Sequence, residues 1–210
     1  MSRLILASGS PRRKEILERN GHDFVVIKAV KDECSDADIP ADFVSDLSRD
    51  KAIEVLDKVL KYPDTFDDVL DGGDTFYIIA ADTVVAVDKD ILGKPEDRAD
   101  AVNMIRRISG RAHSVYTGVT IIRSQMSDRG DIDNTISTFY DETLVYVQDL
   151  SDSEISAYVD MGECMDKAGA YAIQGGFGKH IDRIEGDYDN VVGLPYYKVY
   201  EALKELGYYD

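Results

Sequence analysis

The chain has no tryptophan, only 2 cysteines and only 3 histidines among its 210 residues. Cys34 and Cys164 lie far apart and lack C-x-x-C spacing, which argues against a disulfide framework and a structural zinc site. They read as free thiols of a reducing compartment, and the expected location is cytoplasmic. His22, His113 and His180 share no ligand spacing and form no triad with an obvious Ser or Cys. All three are therefore expected to be structural or surface residues, and covalent nucleophilic catalysis has no candidate. Long apolar runs are missing too. Residues 4–7 are too few for the core of a signal peptide, and no segment approaches the length of a bilayer span.

Positive charge is also scarce. The chain carries 24 Lys and Arg against 41 Asp and Glu, for a net charge of -17. Duplex binding depends on phosphate neutralisation by a basic face, so nucleic acid is not an expected partner, and neither is an anionic membrane. A small polyanion remains compatible, because it needs only a local cationic cluster. The surplus carboxylates suit divalent cations, which prefer oxygen ligands. There is no internal repeat, low-complexity segment or composition break. With 44% hydrophobic residues, the length suits one domain, residues 1–210, or one domain in two lobes.

Strand and helix signals alternate, which favours an α/β fold with a mixed sheet. Residues 4–7 read as a buried strand. Ser10 and Pro11 then open a helix that Asn20-Gly21 closes. Residues 24–30 read as a second strand. Residues 40–60 have helical spacing, with Phe43, Leu47, Ile53, Leu56 and Leu60 as expected core positions. Residues 62–75 read as an acidic surface loop. Residues 76–87 read as a central strand interrupted by Asp82-Thr83, followed by a Lys89-Asp90 turn and a helix opened by Pro95. Two more strands are expected at 115–122 and 138–147, separated by a long polar loop at 124–134. "SDSE" at 151–154 fits a capping box. A last strand at 179–184 and a terminal helix at 194–206 complete the pattern.

Two stretches carry chemistry. In "SGSPRR", a small-residue turn leads into a helix N-terminus, where unpaired N–H groups attract anions. Arg12 and Arg13 sit there although positive charge at that end is unfavourable, and a bound phosphate accounts for this. The alternative is an ordinary solvated first turn. The stretch is neither a Walker A loop nor G-x-G-x-x-G. In "YIIAADTVVAVD", Asp82 interrupts a run that otherwise calls for burial. A carboxylate there is costly unless paired, protonated or metal-bound, so it is a candidate metal ligand or general base. A turn cap or a structural pair with an arginine is the alternative. Lys94 in "ILGKP" adds a point charge. Gln174, among the glycines of "KAGAYAIQGG", offers a donor–acceptor edge that could read a base. Together these pieces suggest a cationic cradle for a polyphosphate and an acid that activates water.

"LASGSPRR", "AADTVV", "LGKP" with "MIRRISGRAHSVYTGV", and "DKAGAYAIQG" with "VVGLP" resemble the Maf family, nucleotide pyrophosphatases once described as septum-formation inhibitors. The motifs occur in the family's order and cover nearly the whole chain. The resemblance implies a mixed sheet with flanking helices and a cleft between two lobes, similar to the inosine triphosphate pyrophosphatases, often as a homodimer. It implies hydrolysis of a nucleoside triphosphate to monophosphate and pyrophosphate with Mg²⁺ or Mn²⁺, in removing non-standard nucleotides or limiting division. By the same resemblance Asp82 is the general base. Ser8, Arg12, Arg13, Lys51 and Lys94 contact the triphosphate. Glu33 is a metal-side carboxylate alongside Asp82, and Arg12, Thr83 and Gln174 set base preference. "SPRR" with "YAIQG" looks like the branch acting on dTTP and UTP, whereas the 7-methyl-GTP branch has an "SPWR"-like start and lacks "AIQG". A non-catalytic nucleotide-binding regulator of division is the rival from another class.

Overall fold

The computed structural model describes residues 3–31, 34–62, 65–66, 75–126 and 131–209. Its strands are β1 Arg3–Leu6, β2 Val25–Val26, β3 Thr75–Val87, β4 Asp90–Leu92, β5 Ala112–Met126, β6 Ile132–Val147 and β7 Ile181–Glu185. They form one 7-stranded sheet in the order β2-β1-β3-β5-β6-β7, with β4 paired to β3 off that path. β1 runs parallel to both β2 and β3, and every other pairing is antiparallel. The helices are α1 Pro11–Arg19, α2 Pro40–Lys61, α3 Arg98–Ile108, α4 Asp152–Asp160, α5 Tyr188–Val192 and α6 Tyr196–Glu205. The fold is the expected α/β class, a mixed central sheet with flanking helices.

β1 and the first half of β3 are apolar without alternation because both faces of the sheet are covered there. Leu4, Leu6, Tyr77 and Ile79 pack with Ile16 and Leu17 of α1 and with Val199 and Leu203 of α6. Ile5, Phe76, Ile78 and Ala80 point the other way, onto Ala52, Val55 and Val59 of α2. Farther along the strands, Val85, Val115 and Val145 join Ile105 and Ile108 of α3 and Ile155 and Val159 of α4. Each such Val, Leu or Ile side chain contributes about 1.5–3 kcal/mol through burial.

Several expected boundaries move, for identifiable reasons. The strand expected at 24–30 shrinks to two residues, since β2 pairs with β1 only at Ile5↔Val25 and Leu6↔Val26. β3 runs straight through Asp82-Thr83, which stay in register opposite Gly118 and Thr117. The turn after it is Asp88-Lys89, both at positive φ (53° and 74°), which suits a tight two-residue hairpin. Pro95 lies ahead of α3, whose cap is Asp97, with its side chain accepting from the Asp100 amide. The loop expected at 124–134 is largely strand: β5 and β6 stay paired as far as Met126↔Ile132. The inner face of α2 is Val44, Leu47, Ala52, Val55, Leu56 and Val59, while Ile53 is 36% exposed. Most of the acidic loop at 62–75 lies outside the described residues. The capping box forms, with Ser151 and Glu154 each accepting from the other's amide.

Candidate active site

β1 ends in a short turn, Ala7 to Ser10, before α1. Ser10 is the N-cap residue but makes no side-chain cap; the Ser10 amide instead donates to Ser8 Oγ at 3.2 Å. With Pro11 at N1 and no acid in the first turn, this end of α1 presents N–H groups and two arginines. Arg13 turns inward. Its Nη1 donates to Ser8 Oγ (3.1 Å), its Nη2 to Thr83 Oγ1 (3.0 Å) and its Nε to the Gly193 carbonyl (2.8 Å). One guanidinium thereby ties α1 to β3 and to the end of α5. Both lone pairs of Ser8 are taken, so the hydroxyl proton is what Ser8 has left to offer a ligand.

The Arg13 chain continues inward. Thr83 Oγ1 lies 2.9 Å from Thr117 Oγ1, and Thr117 Oγ1 donates to the buried Asn190 carbonyl at 2.9 Å. Because the Thr117 proton goes to Asn190, Thr83 must donate to Thr117. The Thr83 proton is therefore committed within the protein.

Asp82 is 8% exposed on β3, and Lys51 of α2 donates to its Oδ1 at 2.7 Å. Gly118, opposite Asp82 on β5, makes this pairing possible. A Cβ there would lie 2.3 Å from the Val44 carbonyl oxygen and 2.8 Å from the Ser45 amide nitrogen. Without a side chain at 118, α2 rests directly on the sheet, and two turns past Val44 its Lys51 reaches the carboxylate. Ser48 Oγ, buried on the same helix, lies 2.9 Å from Thr120 Oγ1 and fixes the crossing.

A third wall comes from residues 166–174. Gly169, at φ +65°, donates its amide to the Gly93 carbonyl at 2.9 Å, and a Cβ there would meet the Val85 side chain at 2.8 Å. The loop is thus pressed onto β3 and hooked to the segment bearing Lys94. Together these elements enclose a cleft of about 590 Å³. Ser8, Arg12, Arg13, Lys51, Asp82, Thr83, Lys94 and Gln174 all line it, with Phe43, Leu47, Tyr171 and Ile173 as apolar wall. Eight of the nine residues singled out by sequence therefore share one cavity. The ninth, Glu33, lies outside the described residues.

Among the described residues the lining holds five cations, Arg12, Arg13, Lys51, Lys94 and Lys167, against two carboxylates, Asp82 and Asp166. A chain of net charge -17 has concentrated positive charge in this cleft. Among the described residues, the side chains of Arg12 and Lys94 have no hydrogen-bond partner. Lys167 is paired with Asp166. That hydrogen bond holds the Asp166 carboxyl below its ordinary value, with Arg12 adding to the effect.

Asp166 and Lys167 were not singled out by the sequence reading; the charged pair just before "AGAY" was the available signal. Glu54 was missed as well. It is 4% exposed on α2 and accepts the amides of Val30 and Lys31 at 2.8 and 3.1 Å. Burial pushes its carboxyl up, but Lys58 and these two amides outweigh that and hold it below the ordinary value. Glu54 thereby anchors the chain immediately before residues 32–33.

A family model described as Maf-like protein matches residues 3–206. The dTTP/UTP pyrophosphatase of Agathobacter rectalis is 46% identical over 208 residues, spanning 99% of this chain and 98% of its own length. Those of Thermoanaerobacter sp. and Symbiobacterium thermophilum are 42% and 43% identical, covering 96% and 99% of this chain and 95% and 96% of theirs. A solved dITP/XTP pyrophosphatase from Mycobacterium abscessus aligns over 97% of this chain and 94% of its own at 12% identity with a TM-score of 0.38, too distant a likeness to argue from. With the family pattern running from β1 to the last residues of the terminal helix, the chain belongs to the Maf family.

Proposed function

We propose that the cleft binds dTTP or UTP and hydrolyses it to the nucleoside monophosphate and pyrophosphate. The observation that carries this is Asp82: a buried carboxylate at the floor of a cation-lined cleft, aligned by Lys51. Relatives at this identity that bear the name dTTP/UTP pyrophosphatase support the substrate.

In the reaction, water adds to the α-phosphorus and the bond to the α–β bridging oxygen breaks. Pyrophosphate leaves with that electron pair. Asp82 accepts the proton from the attacking water. Lys51 keeps the carboxylate oriented, and its charge adds to the field on the phosphates. Arg12, Arg13 and Lys94, with the Ser8 hydroxyl and the α1 N-terminus, hold the triphosphate and neutralise charge growing on the leaving group. Gln174 and Arg12 read the base. Thr83 contributes to base preference as an acceptor only, through the lone pair that Arg13 leaves free, because its proton is committed to Thr117.

Among the described residues no three His, Cys, Asp or Glu side chains cluster as a metal site. Glu33 lies outside those residues; an ion of the Mg²⁺ or Mn²⁺ type typically keeps several waters and takes one or two carboxylates plus substrate phosphates, and Asp82 supplies one carboxylate on the cleft wall. Asp82 and Glu33 would hold it, and when bound it would polarise phosphoryl oxygens. The cleft lies between two lobes of one domain in this scheme. The α3–α4 cluster forms one lobe and the α1, α2 and α6 clusters the other. A homodimer and a cytoplasmic location, which the resemblance and the cysteines imply, belong to the same proposal; among the described residues no helix is long and apolar enough to cross a membrane.

The test is product analysis with dTTP, UTP, CTP, GTP and 7-methyl-GTP in ¹⁸O-water with Mg²⁺ or Mn²⁺. We expect turnover of dTTP and UTP, with the label in the monophosphate. Turnover of 7-methyl-GTP alone would keep the enzyme class and overturn the base assignment. Metal-dependent binding without turnover of any nucleotide would favour a nucleotide-binding regulator.

A further inference from the structure

His113 and Tyr171 are 58 residues apart in the chain, yet His113 Nε2 and the Tyr171 hydroxyl lie 2.7 Å apart. Their rings meet edge to face, centroids 5.2 Å apart at 84°. His113 is 2% exposed, at the start of β5, where that strand is paired with β6 at His113↔Val145. Tyr171 belongs to the loop that lines the cleft, three residues before Gln174. We propose that His113 is a positioning residue which, through Tyr171, fixes the loop carrying Gln174 and so sharpens the preference for dTTP and UTP. This rests on the assignment of Gln174 as a base-reading residue.

The cost of the pair is the first argument. His113 Nδ1 is buried and has no hydrogen-bond partner among the described residues. Burial holds this imidazole down at about 4, so it is neutral near pH 7. If Tyr171 donates to Nε2, the unpartnered group is the Nδ1 proton. If the ring takes the other tautomer, the Tyr171 proton is left without an acceptor as well. The first arrangement leaves fewer orphans. Either way a buried polar group stays unsatisfied, which is destabilising. Phe and Leu would fill the same space without that cost, so packing alone does not account for the pair.

The second argument is the loop's wiring. Among the described residues the loop packs against Val85 of β3, and its other hydrogen bonds run to neighbouring loops and to α4: the Gly169 amide to the Gly93 carbonyl, the Ala172 amide to the Tyr158 hydroxyl at 3.3 Å, and the Gly176 amide to Glu163 Oε2 at 2.8 Å. The His113 bond ties the loop directly to the sheet that also carries Asp82. At most ~10 Å of chain separates Tyr171 from Gln174, so the position of one constrains the other.

The experiment compares Tyr171→Phe, His113→Leu, His113→Gln and Gln174→Ala. Two readouts are taken: the ratio of kcat/KM for dTTP to that for GTP, and amide hydrogen exchange over 169–174. We expect Tyr171→Phe and His113→Leu each to lower the ratio about tenfold, the scale of one lost hydrogen bond. Both should speed loop exchange while β3 and β5 hold theirs. Combining Tyr171→Phe with His113→Leu should be no worse than either single change, since both remove one interaction. His113→Gln, which keeps an acceptor, should restore most of the ratio. Unchanged loop exchange in Tyr171→Phe would overturn the proposal. So would an unchanged ratio in Tyr171→Phe while Gln174→Ala alters it. If Gln174→Ala leaves the ratio intact while Tyr171→Phe lowers it and loosens the loop, the Gln174 assignment fails and the positioning role of His113 stands. Tyr171→Phe retains the ring contact with Phe177 (centroids 4.9 Å), so it decides the matter even if His113→Leu does not fold.

Discussion

Lys51 Nζ donates to Asp82 Oδ1 across 2.7 Å, joining α2 to the central strand at the floor of the cleft, with side chains 14% and 11% exposed. A pair this enclosed is strongly destabilising to break from one side, because the remaining charge is left in a poorly solvated site. Lys51→Met should lower unfolding free energy by about 3 kcal/mol in urea titrations. Adding Asp82→Asn to it should recover much of that loss. No recovery in the double variant would show that the pair is not what holds this region.

Arg13 donates to Ser8, Thr83 and Gly193, so it shapes the wall of the cleft as well as charging it. Arg13→Ala should therefore lower kcat/KM for every nucleotide by a similar factor, on the order of 100-fold. Steady-state kinetics with dTTP, UTP and CTP check this. A loss confined to one base would instead make Arg13 a selectivity residue.

The sheet's glycine is as consequential as the charges. Gly118→Ala puts a Cβ against the backbone of Val44 and Ser45, which cannot rotate away as a side chain would. We expect a loss of about 1–3 kcal/mol, and a larger fall in kcat/KM than that loss explains, because α2 is pushed off the sheet and Lys51 moves with it. Thermal unfolding and kinetics on the same preparation separate the two effects.

These relationships differ in how far the sequence reveals them. β1, its turn and α1 follow from local signals: an apolar run, small residues, Ser10-Pro11. Asp82 is conspicuous because its neighbours call for burial. Lys51 is not, since nothing local distinguishes it from the other charges of α2; its importance arises from the crossing that Gly118 allows. The expected core face of α2 erred at Ile53 for the same reason, as a partner sheet sets a helix's rotation. The outer part of β6 is polar because it is exposed, so residues 132–134 read as loop although they are paired with β5. The His113–Tyr171 bond joins distant positions and leaves no local trace.

Stability should depend on pH through His113. Its imidazole titrates near 4 when folded and near 6.5 when unfolded. Between these values the unfolded chain binds the extra proton, so stability rises with pH there. Lowering the pH from 6.5 toward 4 should remove about 3 kcal/mol through this group. His22, also held down by burial, acts in the same direction. Urea unfolding at pH 7.5, 6 and 5 should show the decline, and His113→Gln should flatten it by His113's share. An unchanged slope in that variant would contradict the assignment.

The most direct measurement is paired turnover and binding of dTTP by the wild-type protein and Asp82→Asn, with Mg²⁺ present. If Asp82 takes the proton from the attacking water, the variant should lose at least about 1,000-fold in kcat while its Kd for dTTP stays within a few-fold of wild type. Turnover near the wild-type rate would remove Asp82 from the chemistry and leave the cleft as a binding site whose catalytic group lies elsewhere.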